Sequence, residues 1–121
     1  SYVKPVVYED LAGSFSTESS TVIRERVLKA REIQKRRFQG LTISTNGEMN
    51  HSHIQEFCNV NKEGQELLKK VYNENKLSAR AYDKILKVSR TLSDLKNKDS
   101  IDKTELIEAL NYRKFIENKV I

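Results

Sequence analysis

The stretch Leu77-Ser78-Ala79-Arg80-Ala81-Tyr82 is typical of a helix start that carries an arginine in the first turn. Ser78 is a good N-cap because its hydroxyl can accept a hydrogen bond from an unpaired backbone N–H. Leu77 and Tyr82 stand where a hydrophobic staple would form. Arg80 is then the second helical residue, at the positive end of the helix dipole. A cation there costs a few tenths to about 1 kcal/mol unless an anion lies close, so the sequence raises the question of which anion Arg80 meets.

The helix that begins here is predicted to run from about Ala79 to Leu95, with one apolar arc that also contains Ser89. On a helical wheel Arg80 lies opposite this arc, near Asp83, and therefore points away from the core. Two interpretations follow. Arg80 is a solvated cation weakly paired with Asp83, or it is aimed at a phosphate that another domain supplies.

The same periodicity predicts four further helices around this one. They run over about Glu18 to Phe38, His51 to Cys58, Lys62 to Asn75 and Lys103 to Asn118. Predicted caps are Asn50, Asn61 and a box of Asp102 with Glu105. Residues 1–17 are expected to be extended and residues 40–49 to form a loop. The predicted fold class is all-α, a small bundle of about four to five helices preceded by an extended N-terminal segment.

The two middle helices each have a predicted core face. In the short one, Ile54, Phe57 and Cys58 are expected to face inward. In the next one, the expected inward residues are Leu67, Leu68, Val71 and Tyr72.

Composition sets the broad class. The 121 residues suffice for one domain, and 32% of them are charged. There is no apolar run long enough to cross a membrane and no signal-peptide pattern, so no membrane partner is expected. The single cysteine, Cys58, cannot form an internal disulfide, which favours a reducing, cytoplasmic location. The net charge of +5 permits contact with a polyanion without requiring it.

The sequence shows no catalytic machinery of its own. It contains no recognisable glycine-rich nucleotide loop, zinc quartet or Ser/His/Asp set. The spacing of His51, His53 and Cys58 matches no compact set of metal ligands. They are interpreted as polar residues at a helix start and one core cysteine. No catalytic residue, metal site or cofactor is therefore predicted for this chain alone.

The first predicted helix is strongly basic. Arg24, Arg31 and Lys35 line one of its faces, and nucleic-acid binding is the functional interpretation of that face. Cations in the last turn, Lys35 to Arg37, also complement the helix dipole, and that simpler interpretation suffices for them. Arg26 falls inside the apolar arc and needs a partner. That partner is either a carboxylate of this chain or a neighbouring domain.

Three runs of residues resemble a known family. The first is Glu18-Ser19-Ser20 with Ile23-Arg24, Arg26-Val27, Ala30-Arg31 and Gln34. The second is Leu77-Ser78-Ala79-Arg80-Ala81-Tyr82 followed by Ile85 to Leu95, and the third is Glu108-Ala109-Leu110-Asn111-Tyr112-Arg113. Together they resemble the C-terminal domain of Mg-chelatase-like AAA+ ATPases of the ComM type, over nearly the whole chain from about Val6.

This resemblance implies a helical lid over residues 18–121, joined by residues 1–17 to an AAA+ core that this chain lacks. It implies that Arg80 is the sensor-2 arginine that contacts the γ-phosphate of ATP, in its own subunit or in a neighbouring one. The full-length protein would bind ATP and Mg²⁺, hydrolyse ATP and form a homo-hexamer. The resemblance also implies DNA branch migration during uptake and recombination, although a porphyrin or protein substrate stays open.

A second hypothesis is independent of the resemblance. The chain would be a stand-alone basic helical module that binds nucleic acid, or a protein partner through the face that carries Arg26 and Gln34.

Overall fold

The computed structural model describes residues 19–75 and 77–120, apart from the side chains of Asn75 and of residues 113–120. It contains helices α1 (Ser20–Arg37), α2 (His51–Phe57), α3 (Lys62–Asn75), α4 (Ala79–Leu95) and α5 (Lys103–Val120), with a 3-10 helix at Asn46–Glu48. The all-α prediction is confirmed, with no strand in the part described. The predicted extended segment 1–17 and Glu18 lie outside the described residues.

The predicted caps form. Ser78 Oγ accepts from the Ala81 N–H at 3.1 Å, and Asn50 Oδ1 accepts from the His53 N–H at 2.9 Å. Glu105 Oε1 accepts from the Asp102 N–H at 3.0 Å, which is the hydrogen bond from the N3 side chain to the N-cap backbone in the predicted capping box. These local bonds explain why α2, α4 and α5 begin at the residues that the sequence indicated.

Helix α4 is the centre of the bundle. It contacts α1, α2, the 3-10 helix and α5, while α3 packs on α5. The core formed between these helices includes Ile85 and Leu86 of α4, together with Phe38, Met49, Ile54, Cys58, Leu68, Leu77, Ile101, Leu106 and Ala109. Burial of this apolar surface is the main force that holds the helices together.

Gly64 allows α3 to approach its neighbours. A Cβ at this position would lie 2.5 Å from Val60 Cγ1 and 3.0 Å from Leu106 Cδ1, which is too close for either atom to stay in place. Close by, Val60 and Ile101 form an isolated parallel bridge. The small residue therefore lets α3 lie close to Val60 and to Leu106 of α5.

Two of the predictions are wrong in part. Residues 40–49 are not a plain loop, because they contain the 3-10 helix, and Asn46 and Met49 are buried. Tyr72 does not face inward but is 46% exposed. Its ring packs edge-on against that of Tyr82, with the ring centroids 5.8 Å apart. The other inward predictions are consistent with the core, since Ile54, Cys58 and Leu68 are buried and Phe57, Leu67 and Val71 pack against them.

Within the described ranges, no helix is both long and apolar enough to cross a membrane.

Candidate anion-binding site

Arg80 is exposed, as its position opposite the apolar arc predicts. It is the second residue of α4, directly after the Ser78 cap and Ala79. The weak pair with Asp83 that the sequence suggests does not form: among the described residues, no carboxylate lies within ion-pair distance of Arg80. The helix dipole is therefore not compensated at this point by an anion from the described chain.

Asp83 is engaged elsewhere. His51 Nδ1 lies 3.0 Å from Asp83 Oδ1 and 3.2 Å from Oδ2, so the imidazole faces both carboxylate oxygens. The contact joins the first residue of α2 to the first turns of α4. The carboxylate that the sequence suggests for Arg80 thus has its partner on another helix.

An open groove of about 660 Å³ runs along α4 beside Arg80. Three cations line it, Arg80, Lys84 and Lys87, which are spaced so that they share one helix face. The other lining residues are Gly47, Met49, Asn50, His51, Asp83, Val88, Thr91 and Leu92. The groove thus combines a basic edge with a partly apolar floor, a combination that suits an anionic ligand.

The 3-10 segment forms the opposite wall of the groove, and several hydrogen bonds hold it there. Lys87 Nζ donates to the Gly47 carbonyl at 3.2 Å. Asn46 Nδ2 donates to Thr91 Oγ1 at 3.1 Å, and the Asn46 N–H donates to Gln34 Oε1 at 3.0 Å. Gln34 intrudes into the apolar arc of α1 in the sequence, and this bond explains its place.

Behind this wall lies a buried polar network that sequence reasoning missed. Arg37 forks onto Asp94, with Nη1 donating to Oδ2 at 2.8 Å and Nη2 donating to Oδ1 at 2.7 Å. Asn46 Nδ2 donates to the same carboxylate at 2.9 Å. The Asp94 side chain is fully buried. The dipole interpretation of Arg37 is therefore incomplete, because this residue ties the end of α1 to α4.

Arg90 is a second cation beside Asp94, and it is buried. Its Nε lies 3.3 Å from Asp94 Oδ1, and its Nη1 and Nη2 donate to the carbonyls of Asp99 and Lys98 at 3.0 and 2.8 Å. Burial lowers the pKa of Arg90, although the negative charge of Asp94 opposes that shift. Arg90 and Asp94 lie four apart on α4, beside the buried Ser89 and Ser93. Because residues four apart share one face of a helix, this spacing of Arg90 and Asp94 could have indicated the pair from the sequence.

The basic residues of α1 that the sequence singles out differ in exposure. Arg24, Arg31 and Lys35 are exposed on α1, whereas Arg26 is only half-exposed. Exposed Leu28 lies among the three exposed cations. The face predicted from the sequence therefore exists as an accessible basic strip.

The histidines and the cysteine have structural surroundings. His53 Nδ1 accepts from the Asn50 N–H at 3.1 Å and completes the cap of α2. Cys58 is buried, and burial raises the pKa of its thiol to about 11. Within the described ranges, no three His, Cys, Asp or Glu side chains come together as metal ligands.

Comparison with known proteins places these features in a family. Residues 17–113 match the family described as magnesium chelatase, subunit ChlI C-terminal. The chain belongs to this family. The match includes Arg80, the His51–Asp83 contact and the buried network around Asp94.

Curated relatives of this magnesium chelatase C-terminal domain agree with the ComM-type resemblance. The chain is 41% identical over 99 residues to the competence protein ComM of Haemophilus influenzae. The aligned region covers 82% of this chain and 19% of that protein. It is 35% identical over 96 residues to YifB of Escherichia coli, which is described as uncharacterized. That alignment covers 79% of this chain and 18% of YifB. The chain thus spans about a fifth of the length of these relatives, as a ComM-type lid domain would.

Proposed function

We propose that this lid domain closes over ATP bound by an AAA+ core, and that Arg80 is its sensor-2 arginine. The observation that carries the proposal is that Arg80 is exposed in the first turn of α4 and makes no ion pair with any described residue. A cation held at the positive end of a helix is favourable only when an anion meets it. The γ-phosphate of ATP is the anion that the family resemblance supplies.

The proposed chemistry needs only a positioned charge. Phosphoryl transfer is accelerated mainly by groups that are held in place to stabilise the charge on the γ-phosphate. Arg80 would supply such a charge, with Lys84 next to it along the groove. ATP and Mg²⁺ would be held by the core, and this domain would add a phosphate contact rather than metal ligands.

The wider role extends from the same proposal. The full-length protein would form a homo-hexameric ring in the cytoplasm and act on DNA during uptake or recombination. The support is the similarity to a protein named for competence. ATP hydrolysis would drive that work, and the lid would join the nucleotide site to the ring.

The first prediction tests Arg80 in the full-length protein. Arg80→Ala should lower kcat for ATP hydrolysis by about tenfold or more, since a positioned arginine can contribute several kcal/mol to phosphoryl transfer. Steady-state phosphate release measures the change. Lys103→Ala is the matched control, because Lys103 is also an exposed cation in the first turn of its helix, and it should leave kcat unchanged. Unchanged turnover in the Arg80 variant would overturn the assignment.

A second candidate function, nucleic-acid binding by this domain itself, is favoured by the strip of Arg24, Arg31 and Lys35. All three are exposed, and none makes an ion pair with the residues described. Cations that are free of carboxylate partners can neutralise phosphates and release counterions.

The second prediction tests this strip with the 121-residue chain and a labelled duplex DNA. Fluorescence anisotropy should show binding that weakens steeply with salt. Replacing the three strip residues by alanine should reduce the salt slope by about one for each phosphate that the protein no longer neutralises. A control variant with Lys62, Lys69 and Lys70 replaced removes the same charge from α3. No binding at low salt, or an equal effect in the control, would remove this candidate.

A further inference from the structure

The carboxylate nearest to Arg80 along the helix is a potential competitor for the arginine. Asp83 follows Arg80 by three residues, and residues three apart on a helix are neighbours. It is also the only carboxylate among the described residues that line the groove. Left without another partner, Asp83 would pair with Arg80 and place a negative charge where a phosphate has to enter.

His51 is the partner of Asp83 in the structure. Its Nδ1 lies within 3.2 Å of both oxygens of Asp83. The backbone of His51 has a fixed place, because His51 is the first residue of α2 and the Asn50 cap and its box with His53 set that helix start. The constraint on Asp83 thus comes from a different helix, and it does not depend on Arg80.

We propose that His51 is a positioning residue, which holds the Asp83 carboxylate away from Arg80 and keeps the arginine available to a phosphate. The proposal rests on the proposed function of Arg80. It adds a residue on α2 to the site and gives a reason for the missing Arg80–Asp83 pair. The His51 side chain is 63% exposed and that of Asp83 is 22% exposed, so the contact lies at the rim of the groove rather than in the core.

Removing the imidazole releases the carboxylate. Asp83 can then turn toward Arg80, where it neutralises the guanidinium and repels the phosphates of an incoming nucleotide. The fold should tolerate this change, because the pair is partly exposed and pairs of that kind add little to stability. The effect should therefore appear in the use of ATP rather than in folding.

The test compares variants of the full-length protein. His51→Ala should lower kcat/KM for ATP by about two- to fivefold, the effect of one added charge near a solvated phosphate site. In an Asp83→Asn background the same His51→Ala change should cause no further decrease, because the competing charge is gone. Ser52→Ala, an exposed change in the same helix, should keep kcat/KM unchanged. Thermal unfolding of each variant checks the fold.

The outcomes separate this inference from the proposed function. If Arg80→Ala impairs hydrolysis while His51→Ala does not, the positioning role is overturned and the function of Arg80 stands. A decrease in His51→Ala that persists in the Asp83→Asn background would also overturn it, since a merely structural role gives that result. If Arg80→Ala has no effect, the proposed function itself fails.

Discussion

Asp94 shows how one residue can connect distant parts of a small bundle. Its carboxylate accepts three hydrogen bonds from Arg37 and Asn46, and it also lies 3.3 Å from the Arg90 Nε. Two guanidinium groups thus meet one buried negative charge. A buried charge of this kind is tolerable only when its partners are complete. The network fixes the end of α1 and the 3-10 helix against α4, behind the groove wall.

The third prediction concerns this residue. Asp94→Asn keeps the shape but removes the charge, which leaves Arg37 and Arg90 buried without a carboxylate. The free energy of unfolding, measured with urea, should fall by about 3–5 kcal/mol. Asp99→Asn removes an exposed carboxylate nearby and should change the free energy of unfolding by less than about 0.5 kcal/mol. Equal stabilities for the two variants would contradict the importance of the network.

Between helices, the turn from α4 to α5 is held by a cluster of opposite charges. Glu105, whose side chain is fully buried, accepts from Lys96 at 2.9 Å and from Lys98 at 2.8 Å. Lys98 also donates to Asp102 at 2.7 Å, and Asn97 makes the turn with a left-handed φ of 58°. Burial opposes ionisation of Glu105, but the bonds from Lys98, the Asp102 N–H and Lys96 keep its pKa below the usual value.

The fourth prediction follows from the pKa values of this turn. The hydrogen bond from Lys98 lowers the pKa of Asp102 from 3.8 to about 2. A carboxyl group whose pKa is lowered on folding stabilises the fold above its unfolded pKa and loses that contribution as pH falls through its folded pKa. The free energy of unfolding should therefore decline as pH falls from about 4 to about 2.

Asp102→Asn tests the origin of this decline. Asparagine still caps α5, so the variant keeps the cap and removes the charged partner of Lys98. It should be less stable than the wild type at neutral pH, and the difference should shrink between about pH 4 and pH 2. Urea unfolding over a pH series measures this convergence. A constant difference across the series would show that the lowered pKa of Asp102 does not contribute to stability.

In the molecule as a whole, the two sides of α4 face different surroundings. Its inner side carries the core residues Ile85 and Leu86 together with Asp94, while its outer side presents Arg80 and two lysines to the groove. The inner contacts pack the helix against α1 and α5. Under the proposed sensor-2 role, such support would set the direction of the Arg80 side chain before a phosphate arrives.

The helices could be predicted from the sequence alone, because helix starts and apolar arcs depend on residues within a few positions of each other. Ser78, Asn50 and the Asp102–Glu105 box were visible as local signals, and so was the exposure of Arg80. The buried 3-10 segment was not visible, since its place depends on Gln34 and Thr91.

Local spacing accounts for the Arg90–Asp94 and Lys98–Asp102 pairs, whereas two other charge contacts depend on tertiary packing. Arg37 and Asp94 are 57 positions apart, and His51 and Asp83 are 32 apart. Spacing along the chain instead suggests that Asp83 pairs with Arg80, its neighbour on α4. An exposed pair within one helix contributes little, so a contact from a second packed helix can replace it. The sequence could therefore place Arg80 on the surface, but only the packing of α2 against α4 shows that Asp83 contacts His51.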